Sequence, residues 1–356
     1  MSGRNDHSVA GLALMGQPKR TPPNRDVITI GTSAGGVDAL RFLAGRLPAD
    51  LPAAVIVTLH LAHGFRSELD IILSRAGSLP AAFATDGEPI ENGRIYLAPT
   101  DRHLLIEGGH LSLGFGPREN NARPAIDPMF RSAALCCGHR SVGVVLTGAL
   151  ADGASGLHTI KRAGGLTVVQ DPADASVPDM PRSALNRTRP DHVAPLAEVP
   201  ALLQRLTALP AAPPAAPPSI LKYEVEVARG GYTNMDQMDR IGTRSVVSCP
   251  DCGGVMWEVE DGDLLRYRCH VGHAYTAEHM NLAMDDTLRR ALGSAARVLE
   301  ERVALARRLA TQAVEHGRTR LAESWADQER EATAELTVIR EAAGRLDRIS
   351  AEPTAA

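Results

Sequence analysis

The sequence predicts an α/β fold: a mostly parallel sheet with helices on both faces, followed by a small zinc-ribbon-like module and a C-terminal α-helical hairpin. Short β-branched runs alternate with longer amphipathic stretches up to about residue 207. A compact cluster of cysteines and histidines spans residues 249–273, and the stretch 276–347 after it is amphipathic and free of proline. These three patterns, in this order, indicate a layered domain with two appendages.

The α/β domain is predicted from short apolar runs that recur at the spacing of βαβ units. The runs are nearly continuous, as is typical of strands covered on both faces; they are Asp26–Gly31, Ala53–His60, Arg94–Ala98, Ser141–Gly148 and Thr167–Gln170. Helical spacing lies between them at Val37–Leu47, Arg66–Arg75, Pro128–Cys137 and Ser155–Ala163. A two-glycine turn at 108–109 predicts a β-hairpin over His103–Leu113.

Composition shifts divide the rest of the chain. A run of proline and alanine is typical of a semi-rigid linker. Leucine and alanine at three- and four-residue steps predict two helices, broken near Gly317. The predicted divisions are a disordered leader at 1–25, the α/β domain at 26–207, the linker at 208–219, the zinc-ribbon-like module at 220–275, the helical hairpin at 276–347 and a disordered tail at 348–356.

The composition excludes several classes of protein. The 356 residues carry a formal net charge of -4, which gives no electrostatic reason to expect a nucleic-acid partner. No apolar run approaches the roughly 18 residues of a membrane-spanning helix, so we expect no membrane insertion. No secretory signal is readable and the five cysteines are an odd number, so we expect a cytoplasmic protein with thiols or metal ligands.

The turn after the first predicted strand offers a candidate nucleophile. Gly31-x-Ser33-x-Gly35 has the form of a nucleophile elbow, which needs small neighbours for its sharp bend. Free N–H groups at the start of the following helix would stabilise an oxyanion. A phosphate-binding turn and an ordinary tight βα turn remain as alternatives.

Two further candidate catalytic residues fall at equivalent strand ends. Functional groups of a parallel sheet collect beyond the carboxyl ends of its strands, and His60 and Asp152 lie there with Ser33. Serine, histidine and aspartate are the residue types of an acyl-transfer triad. The alternatives are a structural His60, an Asp152 that only caps a helix, and rival groups at His63, Asp101, Asp127 and Asp171.

Several ordered motifs then give residues 26–207 a resemblance to a known family. They are Ile-Gly-Thr-Ser-Ala-Gly-Gly at 30–36, the strand ending at His60, Ile-Tyr-Leu-Ala-Pro-Thr-Asp-Arg-His at 95–103, Pro-Ala-Ile-Asp-Pro-Met-Phe at 124–130, Leu-Thr-Gly-Ala-Leu-Ala-Asp-Gly at 146–153, and Gln170 with Met180 and Pro181. The domain resembles the catalytic domain of the CheB-type chemotaxis protein-glutamate methylesterase. The resemblance implies that Ser33 is the nucleophile, His60 the base and Asp152 its orienting carboxylate, with no cofactor for catalysis.

The resemblance also implies a substrate, and the sequence departs from the family's pattern at two places. The substrate would be glutamyl methyl esters on a methylated chemoreceptor-like protein, and the same acyl chemistry would deamidate glutamine. Ala34 follows the serine where the family often has threonine, and the aspartate loop at 148–153 lacks the family's usual Gly-Met-Gly pattern. Only about 25 residues precede the first strand, so no receiver domain and no phosphorylation control within the chain are implied.

Two other functions remain open at this point. One is a hydrolase of another ester or amide that uses the same triad. The other is a catalytically weakened signalling scaffold, in which the hairpin serves for self-association or for docking a partner.

The cysteine and histidine cluster predicts a structural zinc site. Cys249 and Cys252 have the spacing of a zinc knuckle, and Cys269 supplies a third thiolate. The fourth ligand is His273 or His270, and His273 is preferred because His270 directly adjoins Cys269. Four protein ligands leave no open position, so the metal would be structural. Because a linker separates the module from the α/β domain, we expect activity on a small ester to survive metal removal.

Overall fold

A computed structural model describes residues 24–60, 67–214, 216, 219–231, 234–261 and 264–351. Residues 1–23 of the predicted leader, the rival His63 and residues 352–356 of the predicted tail lie outside the described residues.

The first part of the chain forms nine strands. They are β1 Val27–Thr32, β2 Ala54–Leu59, β3 Ala81–Phe83, β4 Ile95–Leu97, β5 His103–Glu107, β6 His110–Gly114, β7 Ser141–Val145, β8 Leu166–Gln170 and β9 His192–Ala194. Seven of them make one sheet in the order β3-β4-β2-β1-β7-β8-β9, with every neighbouring pair parallel. Strands β5 and β6 form a separate antiparallel hairpin. The predicted mostly parallel sheet is therefore confirmed.

Six helices accompany the sheet: α1 Gly36–Ala44, α2 Leu69–Ala76, α3 Ile126–Cys136, α4 Ala154–Arg162, α5 Asp179–Arg187 and α6 Val199–Ala208. They cover both faces, because alternate side chains of each strand enter different cores. Ile28 packs with side chains of α1, α2 and α6, whereas its neighbour Val27 packs with those of α3, α4 and α5. Burial on both faces explains why the strands are runs of β-branched residues without polar alternation.

Strand β1 lies at the switch point of the sheet. From β1 the chain continues outward through β2 on one side, and from β7 it continues through β8 on the other. Ligand and catalytic groups of open parallel sheets collect at such a point, beyond the carboxyl ends of the strands. The turn after β1 and the loop after β7 are therefore the segments positioned for chemistry.

The rest of the chain adds a small sheet and four helices. The elements are α7 Ser219–Arg229, α8 Met235–Ile241, β10 Thr243–Ser248, β11 Val255–Asp261, β12 Leu264–Cys269, β13 Ala274–Thr276, α9 Ala277–Glu315 and α10 Thr319–Ala351. Strands β10 to β13 form an antiparallel sheet in chain order. Gly317, with φ of 69°, makes the turn between α9 and α10, so the predicted helical hairpin is confirmed. No described helix is long and apolar enough to span a membrane.

The hairpin of α9 and α10 keeps apolar side chains at its surface, including Leu288, Leu305 and Val338. Self-association through the hairpin would cover these side chains, and it stays a prediction.

A buried cluster of charges joins this small sheet to the α/β domain. Glu119 pairs with Arg131 of α3 and, at 3.0 Å, with Arg268 of β12. Glu224 of α7 lies 2.6 Å from Arg266 of β12 and 3.3 Å from Arg268. All five side chains are at most 5% exposed. Since buried charges are tolerated only when they are paired, this cluster fixes where the module sits.

The pKa values of both carboxyls reflect this pairing. Burial by itself would raise the pKa of Glu224, but the guanidinium groups of Arg266, Arg131 and Arg268 hold it well below its usual range. The pKa of Glu119 is lowered in the same way by Arg131 and Arg268, against the opposing effect of burial. Both groups therefore remain ionised, and the cluster contributes stability that is lost only at acid pH.

We predict that Glu224→Ala lowers the free energy of unfolding by about 3–5 kcal/mol, because it leaves buried guanidinium groups without their partner. Urea unfolding measures the change. The matched control is Glu226→Ala on the same helix, since the Glu226 side chain is 64% exposed and its loss should cost at most about 0.5 kcal/mol. Equal effects of the two substitutions would show that the buried cluster does not hold the module in place.

Candidate active site and metal centre

Ser33 and His60 follow the ends of two neighbouring parallel strands. The strands pair Thr32 with Leu59 as their last register pair, so the residues after them lie at the same edge of the sheet. Neighbouring strands are about 4.8 Å apart, and the His60 amide donates to the Thr32 carbonyl at 3.3 Å. The elbow bends at Gly35, whose φ of 77° favours glycine, and α1 starts at the next residue.

The loop after β7 brings Asp152 to the same edge. His60 Nε2 lies 2.8 Å from Asp152 Oδ2, and the Asp152 side chain is only 1% exposed. The loop also lies close to the serine. A Cβ atom added to Gly148 would lie 2.9 Å from the Ser33 Cβ and 2.1 Å from the Met180 sulfur. Only glycine allows the loop to approach so closely.

Asp152 is surrounded by hydrogen-bond donors. Oδ2 accepts from the Ile126 amide at 2.6 Å as well as from His60. Oδ1 accepts from Asn120 Nδ2 at 2.9 Å and from the Gly153 and Asp127 amides at 3.0 and 3.3 Å. Ile126 and Asp127 start α3, so the positive end of that helix dipole also faces the carboxylate.

These donors determine the protonation state of the pair. Burial would raise the pKa of Asp152, but the hydrogen bond and charge of His60, with the Ile126 amide and Asn120, hold it well below its usual range. An ionised carboxylate only accepts hydrogen bonds, so His60 Nε2 carries the proton between them. In a neutral ring, the other nitrogen, Nδ1, is therefore the one left as a hydrogen-bond acceptor.

Of the rival aspartates, only Asp127 lies near this pair. Asp101 pairs with Arg123 at 2.8 Å, and Asp171 accepts from the amide of Ala173 at 2.9 Å within its own turn. Asp127 accepts from the Gly156 amide at 2.7 Å and shares the Nδ2 group of Asn120 with Asp152, at 3.1 Å. Burial, and then the charge of Asp152, raise the pKa of Asp127 to about 7.

Sequence reasoning missed Asn120. The side chain is buried and bridges two carboxylates, yet it lies in an irregular segment between β6 and α3. Neither a strand end nor a helix face marks it, so no periodic signal in the sequence could have found it.

The four predicted metal-ligating residues also come together. The ligand atoms of Cys249, Cys252, Cys269 and His273 all lie within 4.8 Å of one another. His273 Nδ1 is 3.6 Å from the sulfur of Cys249 and 3.5 Å from that of Cys269, and the sulfurs of Cys252 and Cys269 are 3.8 Å apart. A tetrahedron with Zn–S bonds of about 2.3 Å has sulfur–sulfur edges of about 3.8 Å, so the set fits zinc. The group contains His273 and not His270.

The module that carries these residues is in direct contact with the candidate active site. Asn120 bonds to β13. His279, in the first turn of α9, is buried, which lowers its pKa, and the nearby charge of Asp152 partly offsets this effect. We expected the linker to keep the zinc-ribbon-like module apart from the α/β domain, but the two are in contact. The proline- and alanine-rich composition of a linker does not determine whether the segments it connects pack together.

Comparisons with known proteins give a consistent picture. The family model described as CheB methylesterase matches residues 28–203. A protein-glutamate methylesterase/protein-glutamine glutaminase 2 of Anaeromyxobacter dehalogenans is 41% identical over 182 residues, which are 51% of this chain and 53% of that protein. A Leptospira interrogans protein whose name gives the same two activities is 39% identical over 184 residues, 51% of this chain and 95% of that protein.

A solved structure is also similar. The crystal structure of the Thermotoga maritima CheB methylesterase catalytic domain shows 32% identity and a TM-score of 0.49, covering 51% of this chain and 98% of that one. The chain thus spans about half the length of the Anaeromyxobacter relative and nearly all of the Leptospira relative.

The raised pKa of Asp127 predicts a pH-dependent stability. Between the unfolded pKa near 3.8 and the folded value of about 7, the folded protein holds a proton that the unfolded chain has released. Stability should therefore fall as pH rises through this range, by up to about 1.4 kcal/mol per pH unit, and level off above pH 7. Urea unfolding from pH 5 to 8 measures this against Asp127→Asn, which cannot ionise. If both proteins showed the same slope, the buried carboxyl would not be protonated as described.

Proposed function

The chain belongs to the CheB methylesterase family, and on that premise we propose that it hydrolyses glutamyl methyl esters on a protein, with Ser33, His60 and Asp152 as catalytic residues. The observation that carries the proposal is the 2.8 Å contact between His60 Nε2 and a buried, ionised Asp152, at the sheet edge where the Ser33 turn also begins. A purely structural histidine needs no such carboxylate beside a nucleophile elbow.

The reaction would follow from these positions. His60 Nδ1 takes the proton of the Ser33 hydroxyl, whose oxygen attacks the ester carbonyl carbon of the glutamyl side chain. The imidazolium, stabilised by Asp152, then gives this proton to the leaving methoxide, and methanol departs. Water, deprotonated by the same nitrogen, attacks the acyl-serine carbonyl carbon. The bond between that carbon and the Ser33 oxygen then breaks, the imidazolium returns its proton to the serine oxygen, and the glutamyl carboxyl group is released and ionises in water. A glutamine side chain would react in the same way and lose ammonia.

Backbone amides near Ser33 would hold the oxyanion. The Gly36 amide donates to the Ser33 carbonyl, and the Gly148 amide donates to Val177, so neither is available. Within the described part of the chain, the amides of Ala34 and Gly35 donate to no backbone carbonyl outside regular elements. Ala34 and Gly35 are also exposed beside the nucleophile, which favours them as donors.

The surface near Ser33 suits a protein substrate. Ser33 and His60 are each partly exposed, and Ala34 and Gly35 beside the serine are exposed, so a side chain presented by a folded protein can reach them. The names of the relatives give a protein-glutamate substrate, and we propose a methylated chemoreceptor-like protein as the partner.

We further propose that Cys249, Cys252, Cys269 and His273 hold one structural zinc ion. Amides of the knuckle support this role, since those of Asp251 and Cys252 donate to the Cys249 sulfur and that of Gly254 to the Cys252 sulfur. Such bonds orient the thiolates and stabilise their charge. The ion would supply folding energy and no open coordination position.

The assignment of Ser33 as the nucleophile predicts that its substitution causes a large loss of activity. Ser33→Ala should abolish nearly all release of methanol from a methylated receptor, and His60→Ala added to it should cost little more, because triad members act as a unit. Methanol release by purified protein measures both. The control is Ser74→Ala, a serine on α2 far along the chain from the elbow. Near-normal turnover by Ser33→Ala would rule out the serine mechanism.

The cluster predicts one zinc ion per chain. Elemental analysis of protein purified without chelator should find it, and Cys252→Ser should lose most of it because one of four ligands is gone. Cys136→Ser, which changes an exposed cysteine of α3, is the matched control and should keep the metal. Protein that contains no zinc before any chelator is added would contradict the assignment.

A further inference from the structure

We infer that the zinc-ribbon-like module is part of the active site: its strand β13 holds Asn120, and Asn120 acts as a positioning residue that orients Asp152. The inference rests on the proposed esterase function and names a regulatory consequence that the function alone does not imply. A module joined by a linker would thereby control turnover in a domain that contains the whole triad.

The first step is the contact between Asn120 and the carboxylates. Its side-chain nitrogen donates to Asp152 Oδ1 at 2.9 Å and to Asp127 Oδ2 at 3.1 Å. Both N–H bonds of the amide are thus used on buried acceptors. Asp152 Oδ2 is the atom that faces His60, and Asn120 makes the shortest of the three hydrogen bonds to Oδ1, so it restrains the rotation of the carboxylate about its own axis together with the Gly153 and Asp127 amides.

The second step is the contact between Asn120 and the module. The Asn120 amide donates to the Ala274 carbonyl at 2.9 Å, and the Thr276 amide donates to Asn120 Oδ1 at 3.2 Å. The Thr276 bond also decides which end of the side-chain amide faces the carboxylates. A flipped amide would place its oxygen against two carboxylate oxygens and its NH₂ group against another N–H donor.

The backbone of Asn120 shows that the module does more than touch it. Asn120 has φ of 49°, in the left-handed region that residues other than glycine rarely adopt. Asparagine tolerates this region better than most residues, and the hydrogen bond from its backbone amide to Ala274 holds it there. Strand β13 also runs beside the segment, as an isolated parallel bridge between Glu119 and Ala274.

The third step connects this contact to the metal ligands. Glu119, directly before Asn120, pairs with buried Arg268, and Arg268 precedes the ligand Cys269. Ala274, which accepts from the Asn120 amide, follows the ligand His273. Both anchors of the segment are therefore adjacent to residues that fold around the metal. Loss of the metal would release the anchors and, through Asn120, the orientation of Asp152.

The kinetic consequence is specific. Asn120 is buried, so its loss would act on the orientation of Asp152 and His60 and not on the exposed surface that meets the substrate. We therefore expect Asn120→Ala to lower kcat by about 10²-fold, as misplacement of a catalytic group by about 1 Å does, while KM changes little. The downfield proton resonance of the His60 Nε2–H group, which is shared with Asp152, should shift or broaden in the same variant.

A double-mutant cycle on the full chain tests whether the module acts through Asn120. The four proteins are the wild type, Asn120→Ala, Cys252→Ser and the double variant, assayed with p-nitrophenyl acetate and by the His60 proton resonance. Cys252→Ser should lower kcat in the wild type but add less than about threefold in the Asn120→Ala background, since both act on one group. Asn121→Gly, an exposed neighbour whose left-handed backbone suits glycine, is the control and should keep wild-type kcat.

The outcomes separate the two proposals. Effects of Asn120→Ala and Cys252→Ser that multiply, or an Asn120→Ala protein with normal kcat, would overturn the inference while leaving the esterase intact. Turnover that does not depend on Ser33 would overturn the proposed function, and the His60 resonance would then decide the positioning role by itself. If Cys252→Ser does not fold, chelation and zinc re-addition with wild type and Asn120→Ala replace it, with the same expected non-additivity.

Discussion

The ionised carboxylate of Asp152 is the constraint on which the rest of the site depends. A buried charge is costly unless donors surround it, and here they come from the β2 end, the α3 N-terminus, the loop after β7 and the segment at Asn120. The donors thus come from four different segments of the chain. The position of the carboxylate therefore depends on how all four segments are placed.

The same requirement explains how the second sheet attaches to the first domain. Arginines of β12 would be unstable in this interface without Glu119 and Glu224, and those glutamates would be equally unstable without the arginines. Paired buried charges contribute less to stability than apolar packing does, but they accept only one arrangement. An interface that must place Asn120 within hydrogen-bond distance of Asp152 needs that specificity more than it needs strength.

The aspartate loop shows a different compromise. Leu150 has φ of 66° and a side chain that is 46% exposed, so a bulky residue occupies a left-handed position where a glycine would be relaxed. The loop is held by Gly148, which contacts Ser33 and Met180, and by the donors around Asp152. A leucine thus occupies a strained position in this loop, while Asp152 keeps all of its hydrogen bonds.

The sequence by itself determined which edge of the sheet carries the candidate site. Apolar runs identify the parallel strands, and the residues that follow these runs, Ser33, His60 and Asp152, are expected at the carboxyl edge of the sheet. It also determined the metal cluster, because the spacing of Cys249 and Cys252 is a local property of one turn. Short edge strands such as β3 and β9 escaped because three residues carry too little pattern. Only the tertiary structure decided that Asn120 lies between Asp152 and β13, and that His273 and not His270 joins the cysteines. The contact of Asn120 with Thr276 joins residues 156 positions apart across an interface of buried charges. Periodicity along a chain records which face of an element is buried, but not which segment covers it.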